Sequence, residues 1–151
     1  MDDPTRIPSE SVSRPRFIEP VLSDPGSLDD ILLVEDNPGD ARLTVEILRE
    51  LGWNSTVHIT TDGDEALDFL HRRGEYTDAP RSELILLDWH LPRTTGRKIL
   101  AELEGNRALE NVPLVVLSGS GAAIERLERE HPQADASLTK PLNPDDLVTT
   151  L

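Results

Sequence analysis

The sequence predicts an α/β fold in which five strands form a doubly wound parallel sheet, in the pattern (βα)5. Three observations predict it. The runs Asp30-Ile-Leu-Leu-Val34, Leu84-Ile-Leu-Leu-Asp88 and Val112-Pro-Leu-Val-Val-Leu117 are short and nearly unbroken aliphatic stretches, the pattern of strands buried on both faces. Stretches of helical period lie between them, and strands that alternate with helices imply a parallel sheet covered on both sides. Each run also leads into a polar residue at its carboxyl end, the edge of an open α/β sheet where ligands bind.

Residues 1–28 hold Pro4, Pro8, Pro15, Pro20 and Pro25 with few apolar residues, which predicts a disordered tail ahead of one domain over 29–151. The first strand, 30–34, ends in Glu35-Asp36. Asn37 then caps a helix with Pro38 at its first position. Leu43, Ile47, Leu48 and Leu51 are its expected buried stripe, Arg42 and Glu46 an i,i+4 pair, and Gly52 its stop. Trp53 is expected to pack over that end. Residues 55–61 alternate weakly and suit an edge strand. Asp62 and Glu65 resemble a capping box for a helix that buries Ala66, Leu67, Phe69 and Leu70 and ends at Gly74, ahead of a polar loop over 75–83.

After the central strand at 84–88, Gly96 opens a helix carrying Ile99, Leu100 and Leu103 and stopping near Gly105. The strand at 112–117 runs into Ser118-Gly-Ser-Gly121. A fourth helix carries Ala123, Ile124 and Leu127, and a last strand covers 134–139. Asn143-Pro144 caps a fifth helix that is short at Leu151. Right-handed crossovers leave few topologies, and the flavodoxin-like order 2-1-3-4-5 fits best.

The chain carries 29 acidic and 15 basic residues, a net charge of -14, and no cysteine. Disulfides and thiolate metal sites are excluded. The mean field disfavours nucleic acid and anionic membrane as direct partners. No apolar stretch reaches membrane-helix length, so a cytoplasmic protein is expected. Only Lys98 and Lys140 are lysines; an acidic, lysine-poor surface suits a high-salt cytoplasm. His58, His71 and His131, with Arg42, Arg72 and Arg73, are read as solvated surface groups, and Trp89 as partly exposed.

Five groups fall at the carboxyl ends of strands: Glu35 and Asp36, Asp88, Ser118 and Lys140. Two carboxylates about 4 Å apart repel by about 4 kcal/mol at an effective dielectric near 20, so raised pKa values, Lys140 or a cation must offset them. An all-oxygen site with room for water suits Mg²⁺, which commonly joins carboxylates to phosphate. Asp88, central among these groups, is the candidate nucleophile, since carboxylates form acyl phosphates. Asp36, Asp88 and the His90 main-chain carbonyl would hold the metal. Lys140 and Ser118 would each take a phosphoryl oxygen.

The strings Val34-Glu-Asp-Asn-Pro-Gly-Asp40, Leu87-Asp-Trp-His-Leu-Pro92, Val116-Leu-Ser-Gly119 and Leu138-Thr-Lys-Pro141 resemble the receiver domains of two-component response regulators, across residues 30–151. Glu-Asp-Asn-Pro and Thr-Lys-Pro-Leu-Asn look most like single-domain regulators paired with phytochrome-type histidine kinases. The resemblance implies that Asp88 takes a phosphoryl group from a kinase phosphohistidine. It implies that Asp36 binds Mg²⁺ directly and Glu35 through water, that Lys140 pairs with the phosphoryl group or with Asp88, and that Ser118 is the switch hydroxyl. It places His90 and Ser120 beside the attacking water, where they tune phosphate lifetime, and makes the Lys140-Pro141 bond cis. It further implies a downstream protein partner, reached through the fourth helix, fifth strand and fifth helix, and a homodimer.

Two departures stand out. Receivers usually carry Tyr or Phe three residues before the lysine, where this chain has Ser137, and the last helix is shorter than usual. Two other readings stay open: a phosphorylation-independent adaptor of receiver fold, and a Mg²⁺-dependent phosphohydrolase with an aspartyl nucleophile. Pro38, two residues after Asp36, stands where that enzyme class carries a second Asp.

Overall fold

The computed structural model describes residues 28–89, 96–107, 109, 111–119, 136–140 and 144–145. The expected N-terminal tail (but for Leu28), the fourth helix, most of the fifth, His90, Ser120 and the Lys140-Pro141 bond lie outside the described residues. Five strands are present: β1 Asp30–Val34, β2 Thr56–Thr60, β3 Leu84–Asp88, β4 Leu114–Ser118 and β5 Ala136–Thr139, with helices α1 Pro38–Glu50, α2 Gly63–His71 and α3 Gly96–Gly105 between them. All pairings are parallel, in the order β2-β1-β3-β4-β5.

The pleat divides the aliphatic runs between two cores. Leu32, Val34, Ile85, Leu87, Leu114 and Val116 meet Phe69 and Leu70 of α2 and Ile99, Leu100 and Leu103 of α3. Ile31, Leu33, Leu84, Leu86, Val115 and Leu117 meet Ile47 and Leu48 of α1, with Trp53 over its end. Every residue of β3 and β4 is buried, and β3 is the central strand of the sheet. Strand β4 starts at Leu114 rather than Val112. Pro113 has no N–H to donate, and its carbonyl accepts from Ile85 N at 2.9 Å, outside the strand itself.

Local chemistry sets the helix ends. Asn37 Oδ1 accepts from Gly39 N at 2.8 Å and Asp40 N at 3.1 Å, and Pro38 occupies the first position. At the other end Gly52 takes a φ of 85°, open to glycine without strain. The buried face of α1 is Ala41, Thr44, Ile47 and Leu48. Leu43 is 42% exposed, contrary to the expected stripe. At 100° per residue it falls to the flank of the 41-44-48 line, where the small Ala41 and Thr44 allow close approach to the sheet.

Asp62 caps α2 through Glu65 N at 2.7 Å. Glu65 does not close a reciprocal box on Asp62. It accepts instead from Thr61 N at 2.8 Å and from the Tyr76 hydroxyl. Helix α2 stops at His71, ahead of Gly74, with Arg72 in the left-handed region at φ 56°. The stretch after it is not wholly polar loop: a 3-10 turn covers Gly74–Tyr76, Tyr76 packs on Phe69 with ring centroids 5.2 Å apart, and Ala79 is buried.

Four side chains read as solvated are paired. His58 Nε2 lies 2.8 Å from Asp30 Oδ1, His71 Nε2 lies 2.7 Å from Glu102 Oε1, and Arg73 donates to Asp68 at 2.8 Å. Arg42 and Glu46 form their i,i+4 pair at 3.2 Å. No helix among the described residues is long and apolar enough to cross a membrane.

Candidate phosphoacceptor site

Register delivers the site. Val34 pairs with Leu87, Asp88 with Leu117, and Ser118 with Thr139. Glu35, Asp88, Ser118 and Lys140 therefore leave the sheet at one edge. Backbone bonds just past the strands hold that alignment: Glu35 N to Thr60 O at 2.9 Å, Trp89 N to Leu117 O at 2.9 Å, and Lys140 N to Ser118 O at 2.7 Å.

Carboxylate oxygens of Glu35, Asp36 and Asp88 lie within 4.8 Å of one another. Glu35 and Asp88 are buried, at 1% and 3% exposure, whereas Asp36 is exposed. Three hard oxygen donors with one open side suit a divalent cation that keeps part of its water shell, Mg²⁺ or Mn²⁺. Among the described residues no imidazole belongs to the cluster, and the chain has no cysteine.

Lys140 Nζ donates to Glu35 Oε1 at 2.8 Å and to Asp40 Oδ2 at 3.0 Å, and lies 3.5 Å from Asp88 Oδ2. Glu35 Oε2 also accepts from Asn37 N at 3.3 Å. Burial pushes the Glu35 carboxyl up to about 7; the Lys140 hydrogen bond pulls against this, and the Asp88 carboxylate adds to it. For Lys140, burial works against the charge, but the hydrogen bonds to Glu35 and Asp40 outweigh it and raise the ammonium to about 12. The resting site thus holds a fixed cation beside a carboxyl whose charge burial disfavours, and a second cation would favour the ionised form.

Glu35, Asp36, Asp88 and Lys140 come together as expected. Ser118, wholly buried, lies one step beyond Asp88's partner on β4. Trp89 is partly buried against the α3-side core, and its ring occupies the space where a Cβ at Gly96 would go. The sequence reading missed Asp40. Its signal was the Asn37 cap, which fixes the first turn of α1 and points residue 40 back to the same edge.

A family model for the response regulator receiver domain matches residues 31–151. Response regulator Rcp1 of Synechocystis sp. is 40% identical over 117 residues, 78% of this chain and 80% of that protein. The solved Mn²⁺-bound form of Rcp1 superposes with a TM-score of 0.66, covering 79% of this chain and 86% of that one. The phosphorylated cyanobacterial phytochrome response regulator RcpA gives a TM-score of 0.70 at 36% identity over 82% and 90% of the two chains. The bacteriophytochrome response regulator AtBRR gives 0.74 at 33% identity, again over 82% and 90%. Sequence, strand order and the acids at the strand ends agree: the chain belongs to the response regulator receiver domain family.

Proposed function

We propose that Asp88 accepts a phosphoryl group from the phosphohistidine of a phytochrome-type histidine kinase, with Mg²⁺ at Asp36 and Asp88 and Glu35 acting through water. Taking a phosphoryl group on an aspartate with Mg²⁺ is the general function of receiver domains, and a histidine kinase is the partner it implies. One observation carries the assignment to Asp88. It is a buried carboxylate at the end of the central strand, with two further acids within 4.8 Å and an ammonium at 3.5 Å. The phytochrome-type kinase is supported by the likeness to RcpA and AtBRR.

In the transfer, an Asp88 oxygen attacks phosphorus, the P–N bond to the kinase imidazole breaks, and an acyl phosphate P–O bond forms. The imidazole leaves with the P–N electron pair. A bound Mg²⁺ would neutralise charge on the phosphoryl oxygens. The protein's part is placement and electrostatics: β3 fixes Asp88, Lys140 supplies a positive charge beside it, and the Ser118 hydroxyl stands on the neighbouring strand. The signal then passes by altered binding of a protein partner or by phosphate relay. Ser137 carries no ring to move with Ser118, so read-out does not use an aromatic at that position. Phosphotransfer from each histidine kinase of the source organism tests the pathway: fast transfer from a phytochrome-type kinase is expected, and preference for an unrelated kinase would overturn it.

A further inference from the structure

We propose that Asp40 is a positioning residue that holds Lys140 at the rim of the resting site and so sets how readily the lysine reaches a group mounted on Asp88. This rests on Asp88 being the acceptor. An ammonium has three protons to donate. Two go to Glu35 at 2.8 Å and Asp40 at 3.0 Å, and Asp88, at 3.5 Å, is the most distant of the three carboxylates. The lysine is thus drawn away from the proposed acceptor by two nearer anions.

The two anchors differ. The Glu35 side chain is fully buried, and water could not replace Lys140 there; Asp40 is 46% exposed, and water could. Asp40 is also fixed in place. Its N–H is held by Asn37 Oδ1 at 3.1 Å, it lies in the first turn of α1 where the helix dipole favours an anion, and the next residue, Ala41, is buried in the core that holds Ile31 and Leu33 of β1. The Asp40 main chain therefore cannot follow the lysine inward. A phosphoryl group brings nearly two negative charges, so Lys140 is drawn toward Asp88 and the bond to Asp40 is the one released. Asp40 stabilises the resting arrangement alone.

The test uses trifluoroberyllate with saturating Mg²⁺, which mounts on a carboxylate in place of a phosphoryl group. Its affinity for the full chain is read by tryptophan fluorescence, since Trp89 adjoins Asp88. Asp40→Asn should bind the probe about threefold to tenfold more tightly than wild type, and Asp40→Glu should bind it like wild type. In a Lys140→Ala background the Asp40→Asn gain should vanish, which separates action through the lysine from mere loss of a nearby negative charge. Unchanged or weaker binding by Asp40→Asn would overturn the proposal while leaving Asp88 as acceptor, and so would a gain that persists without Lys140. If the wild type takes up no more probe than Asp88→Asn, the acceptor assignment fails and this proposal falls with it.

Discussion

Lys140 Nζ donates to Glu35 Oε1 at 2.8 Å, joining the end of β5 to the end of β1 beside the proposed acceptor. Burial disfavours the Glu35 carboxylate, and this bond works against that penalty. A carboxyl raised from 4.5 to about 7 by burial binds more protons folded than unfolded between those values. Unfolding free energy must therefore fall as pH rises from 4.5 to 7 on account of this group. Chemical denaturation in metal-free buffer should show that slope, and Mg²⁺, which favours the ionised carboxylate, should flatten it. Lys140→Ala strands the buried acid and should cost about 3 kcal/mol at pH 8, and less at pH 5, where Glu35 takes up a proton. An equal cost at both pH values would contradict the coupling.

Trp89 and Gly96 are tied by a steric relation. The indole fills the space a Cβ at Gly96 would need, so the first turn of α3 can lie against the residue that follows Asp88. Gly96→Ala must shift the ring or the helix and should destabilise the domain by about 1–3 kcal/mol, with a changed tryptophan emission. A melting temperature and spectrum like wild type would show that the ring does not rest there.

The Asn37 cap should be separable from the chemistry it frames. Asn37→Ala removes the acceptor for Gly39 N and Asp40 N and should cost about 1 kcal/mol, whereas Asn37→Ser should come close to neutral. Equal losses in the two variants, measured by denaturant titration, would mean that the side-chain oxygen is not the stabilising feature.

What could be read from the sequence follows from how each feature is encoded. Strands β1 and β3 are continuous aliphatic runs, and the residue after a buried run has one place to go, so Glu35, Asp36 and Asp88 were legible as an edge cluster. Lys140 was legible through the motif around it. Asp40 was not, because its importance comes from a hydrogen bond to the side chain of Lys140, 100 residues later in the chain. Leu43 misled because hydrophobicity alone does not choose between adjacent helical faces; the small Ala41 and Thr44 do. Gly74 looked like a helix stop, but the helix had already ended with Arg72 in the left-handed region, a conformation rare outside glycine. Tyr76 hid in a polar loop because its partners, Phe69 and Glu65, lie on the preceding helix.

The roles assigned to Glu35, Asp36 and Lys140 all depend on Asp88 carrying the phosphoryl group. Incubating the full chain with Mg²⁺ and acetyl phosphate, then measuring intact mass, tests it most directly. The wild type should gain one phosphoryl unit and lose that gain when Mg²⁺ is chelated beforehand, and Asp88→Asn should gain none. A wild-type chain that stays at its starting mass, or an Asp88→Asn chain that gains the unit at the wild-type rate, would contradict the assignment.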